Sequence, residues 1–390
     1  MSYQQSWQQF STIGFALIMG TIGTALASPL YPLYQQAWHL LPSHITYIFV
    51  AYMFGCLATL LFLGRLSNSI GFLTTLKMGV GLVITGLILS AMANTPIQLG
   101  AGRFVIGIAS GLITTSAMLG LITSIPNSHR ALAPQISSIV TAIGFGLGPF
   151  VGGLIAQFSV LPLVTPYIVV IVGAMLSLLL LYFVKKPAFE PQPLSLVPKL
   201  QAPDAPHKMG FYVVGLTAFC AFAAFCLFAS LSPSFVQDIL PWHGPLVSGT
   251  AIALILLVSA MTQFFARQVA MKTALSWGLI GLILSVFVLG LCMYLQWSVL
   301  FFLSTLLVGI GHGLALLGAF GFVHHMSHEH NRAAVMSTYL FVGYLGTIVP
   351  IIAVGYLADH MGLNAAIVWF CVGIGILCLL LWFWHKKALK

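Results

Sequence analysis

The sequence predicts an all-α membrane protein in which twelve transmembrane helices form two pseudo-symmetric six-helix bundles. Three observations lead to this fold class: the composition, the placement of the basic residues and an internal repeat. Hydrophobic residues make up 60% of the chain and charged residues only 5%, whereas about a quarter of the residues in a soluble globular domain are charged. The composition therefore excludes a soluble protein.

Apolar runs of about 20 residues, the length that crosses a bilayer, occur twelve times along the chain. The predicted spans cover residues 12–36, 43–64, 72–94, 97–122, 134–158, 160–184, 210–234, 245–267, 273–295, 298–323, 333–358 and 363–385. No basic residue precedes the first run, which predicts a retained first helix and not a cleaved secretory signal. The cysteines all fall within spans, so we expect them to pack as small apolar side chains without forming disulfides.

The basic residues predict the orientation of these spans. All Lys and Arg residues except Arg103 lie at even-numbered connections or in the C-terminal tail: Arg65, Lys77, Arg130, Lys185, Lys186, Lys199, Lys208, Arg267, Lys272, Arg332, Lys386, Lys387 and Lys390. Cytoplasmic loops collect such residues, so both termini are predicted to be cytoplasmic and the membrane to be the inner (plasma) membrane. The net charge of +9 then reflects topology and does not indicate a nucleic-acid partner.

A proline-rich segment divides the chain into two halves. Residues 185–209 are predicted to form a cytoplasmic linker between an N-terminal bundle, residues 1–184, and a C-terminal bundle, residues 210–390. A shift of 202 positions aligns the halves from the first helix to the fifth, and it pairs Gln35 with Gln237, Arg65 with Arg267, Gly107 with Gly309, Gly111 with Gly313, Arg130 with Arg332 and Gly144 with Gly346. We interpret this register as a duplication, typical of transporters that bind substrate near the midplane and alternate access by rocking.

Arg103 is the one formal charge that the sequence places well inside a span, since Lys77 and Arg267 lie at the ends of their spans that face even-numbered connections. A cation in hydrocarbon costs roughly 2.5–3.5 kcal/mol on insertion scales and therefore normally faces a cavity or a partner. Arg103 is accordingly predicted to be a functional residue. The alternative is that backbone carbonyls or hydroxyls satisfy its guanidinium group.

Three segments resemble motifs of the major facilitator superfamily, and the resemblance covers nearly the whole chain. The matching segments are Gly102-Arg103-Phe104 with Gly107 and Gly111 in the fourth span, Gly144-Phe145-Gly146-Leu147-Gly148-Pro149-Phe150-Val151-Gly152-Gly153 in the fifth, and Gly64-Arg65-Leu66-Ser67-Asn68-Ser69-Ile70-Gly71 after the second. The resemblance implies the twelve-helix major facilitator fold, a role for Arg103 in proton transfer or substrate binding, and, from the fifth-span motif, exchange of substrate for protons. Independently, glycines at every fourth position form a groove that a neighbouring helix can approach closely, so tight packing alone is the alternative to a gating role.

Two departures from the family pattern affect these expectations. Gln135 stands where the fifth-span motif has its first glycine, and Asn68 replaces the acid of the loop motif, which in relatives is thought to help lock one conformation. Such a lock would here depend on neutral hydrogen bonds and on Arg65. Residues 355–362 mimic the loop motif on the opposite side of the membrane, and we interpret them as a helix end and turn.

The acids restrict the mechanism, because no carboxylate is predicted to be buried in a span. They are Glu190, Asp204, Asp238, Glu329 and Asp359, all in loops or at helix ends. The resemblance implies that exporters of cationic drugs carry such a carboxylate, so an anionic, zwitterionic or neutral polar substrate is favoured. His312 aligns with Ser110 near the middle of its helix, and because the ordinary pKa of histidine is near 6.5 it is the best substitute for the missing acid. The alternative is a histidine that only hydrogen-bonds between helices.

Two further groups of residues are candidates for the site. Tyr31 and Tyr34, beside two prolines at the outer end of the first span, are predicted either to form a gate or binding wall or to be interfacial anchors. Asp238 is the candidate peripheral proton acceptor if the seventh helix extends that far. A histidine group, His324, His325, His328 and His330, has a spacing that permits metal binding, but a solvated polar loop is the alternative, and no metal site is predicted.

The sequence predicts a secondary transporter that works as a monomer and exports a small organic molecule, a drug or metal chelator included, against inward proton flow. An importer or uniporter of a small polar metabolite is the second interpretation, and a receptor or scaffold that moves nothing is a third. No span carries an acid, nucleophile and base together, so an enzyme is not predicted. No cofactor is predicted, and without a Gly-rich phosphate loop ATP is not expected to drive transport.

Overall fold

The computed structural model describes residues 6–126, 129, 133–185, 189–328 and 331–389. Within these ranges the helices are α1 (Trp7–Ala25), α2 (Tyr31–Trp38), α3 (Pro42–Ala58), α4 (Leu66–Ile70), α5 (Phe72–Ala91), α6 (Pro96–Ser124), α7 (Ala133–Phe158), α8 (Thr165–Tyr182), α9 (Lys208–Ser230), α10 (Ser232–Ile239), α11 (Pro245–Phe265), α12 (Met271–Leu295), α13 (Ser298–His325), α14 (Arg332–Met361) and α15 (Leu363–Ala388). The residues of the sequence analysis that lie outside the described ranges are Arg130, Lys186, Glu329, His330 and Lys390, together with the side chain of Gln135.

The described residues contain twelve helical segments long and apolar enough to span a membrane, which confirms the predicted fold class. Several ends differ from the predicted spans. The first segment runs over Trp7–Trp38 and the fourth over Pro96–Ser124, both longer than predicted, because polar residues such as Gln8 and Gln9 continue a helix beyond its apolar core. The sixth helix begins only at Thr165.

Helix ends follow local sequence signals. The Thr95 side chain accepts a hydrogen bond from the Gln98 N–H (3.3 Å), and Pro96 follows it in the first helical position, the position where the missing proline N–H costs nothing. Gly71 and Gly362 have φ angles of 82° and 85°, which residues other than glycine rarely adopt. The turn at Gly362, directly after α14, agrees with the expected helix end at residues 355–362.

The chain folds into two compact units, each described by itself below. One unit contains residues 1–33 and 51–198, and the other contains residues 34–50 and 199–390. The linker therefore contributes to both units. Helix α3 also contributes to both, because its first nine residues, 42–50, pack with the second unit.

Helix crossings inside each unit support the repeat. In the first unit, a Cβ atom on Gly107 would collide with the Tyr52 carbonyl of α3; in the second, a Cβ on Gly309 would lie 3.0 Å from the Ile255 carbonyl of α11. Gly107 and Gly309 are partners in the 202-residue alignment. The same kind of close approach thus occurs at equivalent crossings, α6 with α3 and α13 with α11.

The N-terminus of α3 is capped within the second unit. The Ser43 N–H donates to Asp359 Oδ1 at 3.0 Å, and a Cβ on Gly355, one turn earlier on α14, would collide with Thr46. A carboxylate is favourable at this place because the first N–H groups of a helix lack intrahelical partners and carry partial positive charge. Asp359 therefore links α14 to α3, a role that the sequence analysis did not foresee.

Candidate functional site

Arg103 lies in α6 inside the first unit and is 2% exposed, although it carries a full charge. Its Nη1 donates to the Thr24 carbonyl oxygen at 2.8 Å, and its guanidinium carbon lies 4.7 Å from the centre of the Tyr52 ring. No carboxylate pairs with it among the described residues. A backbone carbonyl thus contacts the guanidinium group, as the alternative interpretation of Arg103 expected, and an aromatic ring contacts it as well.

The Thr24 carbonyl is available because α1 ends there. Helix α1 stops at Ala25, a 3₁₀ turn follows at Ser28–Leu30, and α2 begins at Tyr31. Pro29 has no N–H, so the regular ladder cannot continue through this segment, and the last carbonyls of α1 are left to other donors. The partial negative charge at a helix C-terminus favours a cation, and the end of α1 thus takes the place of a counter-ion for Arg103.

A layer of polar side chains surrounds the guanidinium. The Tyr52 and Ser110 hydroxyls lie 3.1 Å apart and share a hydrogen bond, and the Tyr31 side chain lies beside Arg103. Arg103 Nε is buried without a hydrogen-bond partner among the described residues. The structure therefore brings Arg103, Ser110 and Tyr31 together within one unit, with Tyr52 between the first two.

The glycine motif of α7 packs against the same break in α1. A Cβ on Gly144 would collide with Thr21 Oγ1, one on Gly148 would lie 2.7 Å from Ala25 Cβ, and one on Gly152 would collide with the Leu26 carbonyl. Pro149 lies inside α7, and Gly153 is buried beside it. The motif thus forms the close-approach groove expected from its spacing, placed along the last turn of α1.

The loop motif is bound by the linker inside the first unit. Arg65 Nη2 donates to the Val197 carbonyl at 2.6 Å, and the Gln192 N–H donates to the Asn68 carbonyl at 3.0 Å. Gly64 closes a π-helical turn after α3, and a Cβ on Gly71 would lie 3.0 Å from the Phe189 ring. The motif is therefore held to the linker by backbone hydrogen bonds and by Arg65, and its role as a conformational lock stays a prediction.

His312 lies in the middle of α13 in the second unit and is 6% exposed. Its Nδ1 lies 2.8 Å from Ser259 Oγ, and Gln263 Nε2 donates to the same oxygen at 3.3 Å. Phe222 and Phe225 of α9 flank the imidazole, with ring centres 5.9 and 5.8 Å away. His312 is thus the centre of a small polar cluster enclosed by aromatic rings.

The other candidates lie outside these two clusters. Tyr34 is 1% exposed and its ring lies 4.8 Å from that of Trp38, so neither it nor the buried Tyr31 of the Arg103 cluster is exposed. Asp238 is exposed on α10, a separate short helix that follows the end of α9 at Ser230. His328 Nε2 lies 3.0 Å from Asp204 Oδ2, and within the described residues no group of three metal-ligating side chains occurs.

Four site residues were missed by sequence reasoning. Thr24 and Tyr52 contact Arg103. Ser259 forms a hydrogen bond with His312, and Gln263 donates a hydrogen bond to Ser259. Gln263 lies in a predicted span four residues after Ser259, a spacing that places both on one helix face. That spacing was the available signal, whereas nothing local to Thr24 predicts its partner.

Solved structures share this fold along the whole chain. The protein superposes on a POT family transporter in complex with 5-aminolevulinic acid with a TM-score of 0.79 at 13% identity, covering 100% of this chain and 99% of the other. The TM-score, identity and coverage are the same, 0.79, 13%, 100% and 99%, for a POT family transporter in complex with a thioalcohol conjugated peptide. At this identity the likeness shows the fold alone. A family model described as Major Facilitator Superfamily matches residues 13–350, and the chain belongs to that family. The protein is therefore a polytopic membrane transporter.

Curated relatives match parts of the chain. It is 25% identical to the multidrug efflux protein YfmO of Bacillus subtilis (strain 168) over 232 residues, 60% of this chain and 57% of the relative. It is 24% identical to the riboflavin transporter RibZ of Clostridioides difficile (strain 630) over 190 residues, which are 48% of this chain and 41% of the relative. The methylenomycin A resistance protein of Streptomyces coelicolor is 26% identical over 150 residues, which are 38% of this chain and 32% of the relative. The matches span between a third and three fifths of these relatives.

Proposed function

We propose that the protein exports a small zwitterionic, anionic or neutral polar organic molecule in exchange for protons, by alternating access. One observation carries this proposal: Arg103 is buried without a carboxylate among the described residues, so the polar cluster of the first unit keeps a net positive charge. Such a cluster favours an anionic or electron-rich group and disfavours a lipophilic cation.

His312 supplies the titratable group in this proposal. Its partner Ser259 can both donate and accept a hydrogen bond, so the contact persists when Nδ1 gains a proton and the hydroxyl turns. Asp238, exposed on α10, is a peripheral proton acceptor in this scheme. Both roles are inferred from where the two residues lie and from the ability of their side chains to bind a proton.

The direction of transport rests on the glycine motif of α7 and on the names of relatives. YfmO is called a multidrug efflux protein and the Streptomyces relative a resistance protein. Import or facilitated passage of a small polar metabolite is the second candidate, favoured by the similarity to a protein named as a riboflavin transporter. In both cases we place the protein in the inner (plasma) membrane as a monomer with both termini cytoplasmic.

Flux in proteoliposomes tests the proposal. Vesicles that contain purified protein and an internal pH-sensitive dye would receive an imposed pH gradient and one probe at a time: benzoate, riboflavin, glycine betaine or tetraphenylphosphonium. We expect at least one of the first three to collapse the gradient and tetraphenylphosphonium to leave it intact. Proton exchange with tetraphenylphosphonium alone would overturn the substrate class, and flux of a probe without any pH change would overturn proton coupling.

The His312→Gln variant separates coupling from transport. Glutamine keeps hydrogen-bonding capacity but cannot titrate, so we expect probe flux to continue without its dependence on the pH gradient. Retained gradient-driven flux in this variant would exclude His312 as the proton carrier. Absence of flux for a wide range of probes in the unmodified protein would favour a receptor or scaffold.

A further inference from the structure

The surface of α9 next to His312 consists of partly exposed, mostly aromatic side chains. From Val213 to Ser230, the residues that are not buried are Leu216, Phe219, Phe222 and Phe225. Each step of three residues turns about 60° around the helix axis, so the four form a slanting stripe, and Phe222 and Phe225 at its end flank His312. The rest of α9 in this stretch is buried, so this aromatic stripe is its one accessible surface.

The stripe differs from the lipid-facing surface of the same unit. Phe287 of α12 is 68% exposed and Phe383 of α15 is 55% exposed, whereas the side chains of the stripe are only partly exposed. The stripe also adjoins the polar cluster of His312, Ser259 and Gln263, whose groups would be costly against lipid. Partly buried aromatic rings beside a few polar groups are typical of the lining of a ligand site.

The hydrogen bonds of His312 leave one ring nitrogen for a ligand. Nδ1 lies 2.8 Å from Ser259 Oγ, which also accepts a hydrogen bond from Gln263 Nε2 at 3.3 Å. The Ser259 hydroxyl can donate to Nδ1 or accept from it, so either tautomer of the neutral imidazole fits this contact. Nε2 has no protein partner in the described chain and is not sealed from open space. It therefore presents an unused hydrogen-bonding group beside the aromatic stripe.

From these groups we infer that the second unit binds a planar aromatic molecule with a hydrogen-bonding group on its edge. Phe222, Phe225 and Tyr344 supply ring faces, the first of them with its centre 6.2 Å from that of Tyr344, and His312 Nε2 forms a hydrogen bond with the polar edge of the ligand. This inference rests on the proposed function and specifies the substrate class. Flat rings are selected because offset stacking adds about 0.5–1.5 kcal/mol per ring pair beyond the buried area.

Equilibrium binding to protein in lipid nanodiscs tests the inference without any gradient. The probe is acridone, a neutral planar tricycle with one carbonyl and one ring N–H, and anthracene serves as a probe of the same shape without a hydrogen-bonding group. Empty nanodiscs give the partition background. We expect acridone to bind more tightly than anthracene. Equal binding of the two probes, or no binding above background, would overturn the inference.

Matched variants locate the site. Phe222→Leu and Phe225→Leu keep apolar volume but lose a ring, and each is expected to weaken acridone binding roughly two- to tenfold, the factor that one stacking contact represents. Phe287→Leu removes an exposed ring on α12 and should leave acridone binding unchanged. Phe222→Tyr keeps an aromatic ring at this position and should bind acridone like the unmodified protein. A loss in Phe287→Leu equal to that in Phe222→Leu would contradict the placement.

His312→Phe and Ser259→Ala test the hydrogen bond. His312→Phe keeps a ring but removes both imidazole nitrogens, and should erase the preference for acridone over anthracene while anthracene binding stays. Ser259→Ala removes the hydroxyl that orients the imidazole through Nδ1 and should reduce the same preference. An unchanged preference in both variants refutes the hydrogen bond. Because these measurements need neither flux nor a gradient, failed binding refutes the aromatic site, whereas retained binding without flux refutes the proposed export.

Discussion

At the scale of the residue, Arg103 shows how a membrane protein keeps a charge without an acid. The guanidinium takes a backbone carbonyl from the end of α1 and the face of the Tyr52 ring. Cation–π contacts with a desolvated cation contribute up to about 2 kcal/mol, and hydrogen bonds to a charged group about 1.5–3 kcal/mol. Together these are comparable to the insertion cost of the charge.

Arg103→Ala should abolish transport while the protein still inserts and folds. The substitution removes both the charge and the donor to the Thr24 carbonyl, so the break in α1 loses its partner. Probe flux in proteoliposomes, with size-exclusion profiles as the folding control, checks this. Undiminished flux in the variant would remove Arg103 from the transport mechanism.

Two substitutions at Tyr52 separate its ring from its hydroxyl. Tyr52→Phe keeps the ring face under Arg103 and loses the hydrogen bond with Ser110, so we expect most of the flux to remain. Tyr52→Leu also loses the cation–π contact and should lower thermal stability by about 0.5–2 kcal/mol. Equal stability of the two variants would show that the ring face contributes nothing.

At the scale of the element, the first span is a broken helix held by two neighbours. Arg103 of α6 contacts the end of α1 on one side, and the glycines of α7 lie along its last turn on another. The prolines that end α1 also create the free carbonyls that the arginine uses. The motifs of α6 and α7 therefore both contact the end of α1, where the first span is broken.

A methyl group in the α7 groove should destabilise the first unit. In Gly148→Ala the added Cβ would lie 2.7 Å from Ala25 Cβ and 2.9 Å from the Ile22 carbonyl, and overpacking of this kind costs about 1–3 kcal/mol. Gly81→Ala is the matched control, because no atom lies within 4 Å of its added Cβ. Thermal unfolding in detergent compares them, and equal midpoints would show that the groove is not tightly packed.

The cap at the start of α3 gives a second prediction at this scale. Asp359→Ala leaves the Ser43 N–H without its acceptor and should lower stability by about 0.5–2 kcal/mol, the usual cost of losing a helix N-cap. Ser43→Ala keeps the backbone N–H and serves as the control. If both variants unfold at the same temperature as the unmodified protein, the hydrogen bond does not contribute to stability.

At the scale of the whole molecule, the asymmetry of the basic residues predicts the orientation in the membrane. We expect a cysteine at residue 94 (Asn94→Cys), in an odd-numbered connection, to react with a membrane-impermeant maleimide in intact cells. A cysteine at residue 196 (Leu196→Cys), in the linker, should react only after permeabilisation. The six native cysteines are buried, so the background is low, and the reverse pattern would invert the proposed orientation.

Much of the architecture was predictable because its determinants are local. Hydrophobic length defined the twelve spans, and glycine spacing predicted the groove on α7, since helical periodicity converts spacing directly into a face. The ends were less predictable: α1 begins at Trp7 and α6 extends to Ser124 because a helix continues beyond its apolar core when polar residues have helical propensity.

The sequence alone establishes a twelve-span membrane protein with a single charged residue well inside a span. This much is local information, because apolar length identifies a span and a charge within it stands out wherever it occurs. What that charge meets depends on the folded arrangement: the end of α1, 79 positions away, and the Tyr52 ring. The folded arrangement also determines that Ser259 occupies one nitrogen of His312 and leaves the other beside aromatic rings. Such partners depend on which helices pack together and at what height, and the pattern within one helix does not carry that information.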